Sequence, residues 1–196
     1  MRKTVLDHGY VELVEHWGSD ERIIEAARMS TQKGFKGWGP RCAYCKTPMS
    51  EHHGDGTTCY DRGTETGDER LLKYLWANDH ATPFEMAGFV IEVKAPIFVF
   101  REWHRHRTQS FNEMSARYLP LPNENYVPTA DRLVLTSNTN KQAQGTAAFK
   151  PEEADRWLAN LENIYALLEA AYQAGLGVGV PKEVARILLP VGRYSV

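Results

Sequence analysis

The segment from Pro151 to Gly175 constrains the fold most. Trp157, Leu161, Ile164, Tyr165, Leu168 and Tyr172 recur every three or four positions, Pro151 opens the run and Gly175 closes it. That spacing predicts an amphipathic helix with one apolar face. Other segments carry the same period more briefly. Ser19 is placed to cap a helix running to about Met29, with Asp20 and Glu21 in its first turn and Ile23, Ala26, Ala27 and Ser30 on its buried face. Asp68–Asn78 predicts another, with Leu71, Leu72, Leu75 and Trp76 on one side, and Pro181–Leu189 a last short one carrying Arg186. Pro96 reads as the first residue of a helix through Ile97, Phe98 and Phe100.

Strand signals fill much of the remainder. Val5-Leu6 and Tyr10–Trp17 flank a turn at Asp7-His8-Gly9, and Gly88–Lys94 alternates with Phe89, Ile91 and Val93 on one side. Asp79–Glu85 reads as a loop, because Pro83 disfavours α geometry at Thr82. Leu119–Phe149 is loop-rich, with prolines at 120, 122 and 128 and a polar excursion over 136–146. Gly175-Leu-Gly-Val-Gly179 follows a helix rather than a strand, so it reads as a linker and not as a dinucleotide loop.

A length of 196 residues fits one domain with a real core. The net charge of -2 argues against a general nucleic-acid binder. No run of eighteen apolar residues and no signal-peptide core is present, which predicts a cytoplasmic protein that does not enter a membrane. All three cysteines, Cys42, Cys45 and Cys59, fall in an insertion over about 31–67. Two readings of that insertion stand. Cys42, Cys45 and Cys59 with His52 or His53 have the spacing of a Cys3His zinc site; alternatively the segment is a surface loop with free thiols and no metal.

Directional polar groups are densest from Arg101 to Tyr118. Arg101, Arg105 and Arg107 stand with His104 and His106, offset only by Glu102. If the helix opened at Pro96 continues to about Arg107, Arg101 and Arg105 share one face. Such a like-charge pair costs about 0.2–0.5 kcal/mol unless an anion lies beside it. Arg105 and Arg107 then point to different sides and can hold two different anions, and the planar guanidinium pairs phosphate bidentately. Beyond Arg107, an extended chain places Glu113, Ser115 and Arg117 on one face, where an acceptor, a hydroxyl and a cation can read a base edge, a ribose and a phosphate. The competing reading is a charged, solvated helix face.

Arg105-His106-Arg107, seven residues and then Ser115 match the signature of the flavin-dependent thymidylate synthases, which this chain resembles over nearly its whole length. His80-Ala-Thr-Pro-Phe-Glu85, Lys94-Ala-Pro-Ile-Phe98, Asn112-Glu113, Ser115-Ala-Arg117-Tyr118, Leu6–Leu13 and Val180–Pro190 extend the resemblance. It implies an α+β fold with a mixed, mainly antiparallel sheet packed with helices. It also implies methylation of dUMP to dTMP with methylenetetrahydrofolate as carbon donor, FAD, and NADPH as reductant, in a homotetramer whose sites are shared between subunits. By position, Thr82, Glu85, Arg105, His106, Arg107 and Glu113 would contact FAD. Glu102, Trp103, Arg105, Glu113, Ser115, Ala116, Arg117 and Arg186 would contact dUMP, with Arg105, Ser115 and Arg117 at the catalytic centre. Ser115 would orient ligand rather than attack it.

Two departures qualify the resemblance. Glu102 stands where many members have Gln, so a contact to backbone or base, or a pairing with a neighbouring Arg, is expected of it. The family's later Asn-x-Arg segment and Leu-Arg do not occur before Val196. The chain is therefore expected to be a C-terminally short member, with a non-catalytic fragment that keeps nucleotide binding or oligomerisation as the alternative.

Overall fold

A computed structural model of the chain describes residues 1–45, 47–49, 64–65, 67–137, 139 and 144–196. It comprises two compact units, Met1–Glu12 with Glu92–Val196, and Leu13–Ile91. Strands β1 (Arg2–Val5) and β2 (Gly9–Trp17) open the chain. They are followed by α1 (Asp20–Ala27), the short strands β3 (Arg41–Cys42) and β4 (Thr64–Glu65), α2 (Glu69–Ala77), a 3-10 helix at Thr82–Met86 and β5 (Gly88–Pro96). Then come α3 (Ile97–Trp103), β6 (Val134–Thr136), β7 (Gln144–Ala148), α4 (Pro151–Gly177), α5 (Lys182–Ala185), a 3-10 turn at Arg186–Leu188 and β8 (Tyr194–Ser195). The main sheet has the order β1-β2-β5-β8, and both β1/β2 and β5/β8 pair antiparallel. The mixed α+β architecture with an antiparallel sheet is the one the sequence implied.

In the first unit, the turn forms one residue earlier than predicted, over 6–8, with Leu6 in it at φ 57° and Val5 opposite Gly9. Gly9 is required there by close approach: a Cβ would lie 2.7 Å from the Val5 carbonyl oxygen and 2.8 Å from that of Lys94. Asp7 closes the turn by accepting from the His8 backbone N–H at 3.0 Å and from that of Val127 at 3.2 Å. Pro96 sits at the N-cap of α3 rather than at its first helical position, because it is still paired with Tyr194 in the sheet at ψ 144°.

The long helix α4 forms as predicted and continues two residues past Gly175. Its end coincides with Gly179 at φ 88°, a conformation glycine adopts without penalty. The inward stripe is Ala154, Leu158, Leu161, Tyr165, Leu168 and Tyr172, of which Tyr172 is completely buried. Trp157 and Ile164 lie on the exposed side, 48% and 43% accessible, so the helix carries more apolar surface than this unit covers. Each fully buried large apolar side chain on the inward face contributes about 1.5–3 kcal/mol. The predicted polar excursion over 136–146 is strand at both ends, since β6 reaches Thr136 and β7 begins at Gln144, and the two pair antiparallel with Val134 opposite Ala148. Residues 138 and 140–143 fall outside the described ones.

In the second unit, Ser19 caps α1 by accepting from the Arg22 backbone N–H at 3.3 Å. The buried pair is Ile23 and Ile24, while Ala26 and Ala27 are only half-buried. In α2, Leu75 is buried and Trp76 is 75% exposed, leaving Leu71, Leu72 and Leu75 as the inward side. Phe89, expected inward from β5, is exposed, since the strand becomes buried only at Ala95 and Pro96. The segment expected to be a loop before β5 forms the 3-10 helix Thr82–Met86, which packs on α1. Pro83 is tolerated in its first turn, where no intrahelical N–H is needed.

Asp68 begins α2 without capping it, because its carboxylate is committed elsewhere. It accepts from Arg28 through both oxygens, with Nη1 at 3.0 Å from Oδ2, and from the backbone N–H groups of Lys36 at 2.7 Å and Gly37 at 3.3 Å. Trp38 Nε1 donates to Glu21 Oε1 at 2.6 Å. These bonds tie the segment after α1 to both helices of the unit. Cys42 is buried in β3 and Cys45 is exposed, whereas His52, His53 and Cys59, needed to judge the zinc reading, fall outside the described residues.

Candidate functional site

The strand-to-helix junction at Pro96 positions the main site. The first N–H groups of a helix lack intrahelical partners. In α3 two of them are met by the C-terminal segment: Ile97 N–H donates to the Arg193 carbonyl and Phe98 N–H to that of Val191, each at 2.9 Å. So anchored, α3 presents Ile97 and Arg101, four residues apart, to an open cavity of about 560 Å³. Its polar lining is Arg101, Glu113, Ser115 and Arg186, and Ile97, Ala116, Leu121 and Leu189 supply apolar surface.

Glu113 and Ser115 reach the cavity from an irregular stretch, not from a strand. Met114 N–H donates to the Val196 carbonyl at 2.8 Å, and the Ser115 carbonyl accepts from Tyr118 N–H at 3.1 Å, turning the chain over 116–118. The expected alternation therefore does not hold: Glu113, Met114, Ser115 and Ala116 all line the cavity, and Arg117 does not. Arg117 instead pairs with Glu183 at 3.2 Å, and neighbouring Lys182 Nζ donates to the Tyr118 carbonyl at 2.9 Å. Arg186 enters from the 3-10 turn after α5, its Nε donating to the Glu183 carbonyl at 3.2 Å. Among the described residues, neither Arg101 nor Arg186 makes an ion pair, so two guanidiniums and one carboxylate share the cavity with a net positive charge. Two cations with a hydroxyl and a carboxylate on an apolar wall can hold a small anion carrying hydroxyl or amide groups.

Helix α3 stops at Trp103, a turn short of the predicted limit. Arg101 and Arg105 thus do not share a helical face, and the predicted division of the arginines is replaced by a cavity-facing Arg101 and an exposed turn. His106 N–H still bonds the Trp103 carbonyl at 3.0 Å, while Trp103 Nε1 donates to Gln109 Oε1 at 2.8 Å and the His104 and Phe111 rings meet edge to face at 4.6 Å. These contacts fold the 104–111 loop back on α3, and Arg105, His106 and Arg107 are all exposed on it. Glu102 is exposed in the last turn of α3, and neither it nor Trp103 lines the cavity. Thr82 and Glu85 lie on the 3-10 helix of the second unit.

Of the eight expected substrate contacts, the cavity gathers Glu113, Ser115, Ala116 and Arg186. Arg101 belongs with them and was not among the expected contacts, although its position one helical turn after Ile97 was readable from the sequence. Leu121 and Met114 had no comparable signal.

An α+β scaffold that feeds a short helix into a cation-lined cavity has the chemistry to hold a small anionic ligand. The chain belongs to the thymidylate synthase complementing protein (Thy1) family, whose model matches residues 12–195. It is 37% identical over 191 residues to a flavin-dependent thymidylate synthase of Wolbachia pipientis, covering 97% of this chain and 57% of that protein. To the flavin-dependent thymidylate synthase of Thermus thermophilus it is 40% identical over 191 residues, covering 97% and 58%. The fold is similar to the crystal structure of the UMP/dUMP methylase PolB from Streptomyces cacaoi bound with 5-Br UMP, with a TM-score of 0.72, 29% identity, and coverage of 97% of this chain and 69% of that one. The chain thus spans a little over half the length of the curated relatives it matches.

Proposed function

We propose that this chain binds dUMP in the cavity between α3 and the Arg186 turn and takes part in its methylation to dTMP, within a homotetrameric cytoplasmic enzyme. The observation that carries this reading is the convergence of Arg101, Glu113, Ser115 and Arg186 on one cavity in a chain whose relatives are thymidylate synthases and a dUMP methylase. Arg101 and Arg186 neutralise the nucleotide phosphate, Ser115 orients it, and Glu113 accepts from a ribose hydroxyl or a base N–H. Arg117, one residue beyond the cavity wall, exchanges its exposed Glu183 pair for the substrate; such a surface pair is worth only about 0–1 kcal/mol. No cysteine lines the cavity among the described residues, consistent with Ser115 and the arginines positioning the ligand without a thiol nucleophile.

FAD is assigned to the Arg105-His106-Arg107 loop and Glu113 of the first unit. The donor set fits a dinucleotide's phosphates: Arg105 and Arg107 are exposed and make no ion pair among the described residues. The flavin, when bound and reduced by NADPH, supplies the electrons needed to turn the methylenetetrahydrofolate carbon into a methyl group. The chain's own work is to hold the nucleotide, exclude competing anions and fix its orientation. Calorimetric titration with dUMP tests the reading. Saturable binding that Arg186→Gln weakens at least tenfold is the expected result. Binding without turnover would favour the nucleotide-binding alternative, and wild-type affinity in Arg186→Gln would remove this cavity from the substrate site.

A further inference from the structure

The second unit has a cavity of its own, about 310 Å³, whose charged lining is Arg28, Lys36, Arg41, Arg70 and Asp68. The single carboxylate is already saturated: Asp68 takes both Arg28 nitrogens and the backbone N–H groups of Lys36 and Gly37. This leaves Lys36, Arg41 and Arg70 lining one space, and none of the three makes an ion pair among the described residues. Three like charges around one cavity repel one another unless an anion occupies it.

Arg41 gives the second, independent observation. Its Nε is buried and has no hydrogen-bond partner, a condition that proteins generally avoid. Its guanidinium also lies directly against the backbone of Gly37, where a Cβ would come within 1.8 Å of Nη2, and Gly37 holds φ 110°. A side chain at 37 would displace the guanidinium, so the backbone is shaped to keep this cation in the cavity wall. An arginine held in a cavity wall, with two further cationic residues lining the same cavity, can pair a tetrahedral oxyanion through several guanidinium donors at once.

We infer that the cavity bounded by Lys36, Arg41 and Arg70 is a phosphoryl-binding site, separate in residues from the proposed dUMP cavity and taking inorganic phosphate or a small phosphate monoester. The volume accommodates a phosphoryl group with a short attached moiety. Tyr74 and Leu71 on α2 provide the non-polar side against which that moiety rests.

Isothermal titration calorimetry of the full chain with inorganic phosphate and, separately, ribose 5-phosphate tests this inference. Saturable binding of either anion is expected, the tighter one naming the source of the phosphoryl group. Arg41→Gln and Arg70→Gln should each weaken it at least tenfold with an unchanged circular dichroism spectrum, while Arg186→Gln leaves it intact. Arg70 is exposed on α2, so Arg70→Gln keeps the test decisive if Arg41→Gln disturbs folding. Absence of saturable binding by both anions, wild-type affinity in Arg70→Gln, or loss of binding in Arg186→Gln would each overturn the assignment.

Discussion

The Tyr194 hydroxyl donates to the Asp7 carboxylate, joining the first turn of the chain to its last strand across 187 residues of sequence. Burial and the neighbouring carboxylate both push the Tyr194 phenol above its ordinary range. Burial works against the Asp7 charge, but the bonds from Tyr194 and the Val127 N–H outweigh it and hold this carboxyl below its usual value. A charge-assisted bond of this kind contributes about 1.5–3 kcal/mol. Tyr194→Phe should lose that amount in urea denaturation at pH 7. A raised phenol pKa gives stability that is complete below about pH 10 and declines as pH rises beyond it. The Phe variant should flatten this alkaline arm.

Asp68 governs the acid side in the second unit. Its burial favours the neutral acid, yet the Arg28 fork and the Lys36 and Gly37 N–H groups prevail and depress its pKa. The stability linked to a depressed carboxyl is fully present above its unfolded pKa, about 3.9, and is lost as pH falls through the lower folded value. Melting temperature should therefore hold steady from pH 7 to about 5 as far as Asp68 is concerned, and its contribution should begin to decline below about 4 and be lost as pH falls through the lower folded value. Asp68→Asn, which leaves Arg28 unpaired, should cost roughly 3–5 kcal/mol at neutral pH and abolish that contribution.

Arg193 is 1% exposed and is the most deeply buried cation among the described residues. It pairs with Glu169 on α4 and donates through Nη1 to the Pro122 carbonyl at 2.8 Å and to Asn123 Oδ1 at 2.9 Å. Replacing one partner of such a pair leaves the other charge poorly solvated, at a cost of about 3–5 kcal/mol. Arg193→Met should unfold at markedly lower urea concentration than the wild type. Combining it with Glu169→Leu should recover part of the loss, and equal losses in the single and double variants would argue against the pair as the source.

Arg117 and Glu183 compete with the proposed substrate contact. Their pair is about half exposed on both sides, so breaking it costs at most about 1 kcal/mol. Glu183→Gln should free Arg117 and tighten dUMP binding by up to about fivefold, the binding equivalent of that energy. Weaker binding in this variant would show that Glu183 positions Arg117 for the nucleotide.

Periodicity located α1, α2, α4 and the β1/β2 turn, because each depends on local spacing and on caps within a few residues. Burial was less legible. Trp157, Trp76 and Phe89 carry the apolar character of core residues yet are exposed, since the sequence signals a helix or strand without saying how many of its faces are covered. At the candidate site, Glu113 and Ser115 were reached through alternation and the resemblance, and Ala116 and Arg186 through the resemblance; all four line one cavity. The end of α3 was missed because hydrophobic period gives no stop signal between Trp103 and Arg107, where the chain unwinds through loop contacts such as Trp103 to Gln109. Arg117 was assigned by strand alternation to a face that a turn at 116–118 removes.

The carbonyls of Arg193 and Val191 hold the first amides of α3, the helix that delivers Arg101 to the cavity. On the proposed function, ligand affinity depends on how firmly those carbonyls hold the helix start. Opening of these two bonds would let the Ile97 and Phe98 amides exchange with solvent hydrogen, and a nucleotide bound as proposed should slow that exchange. Variants distant from the cavity that loosen β8 will consequently register as weak binders, and exchange protection at these two amides will separate them from variants that have lost a ligand contact.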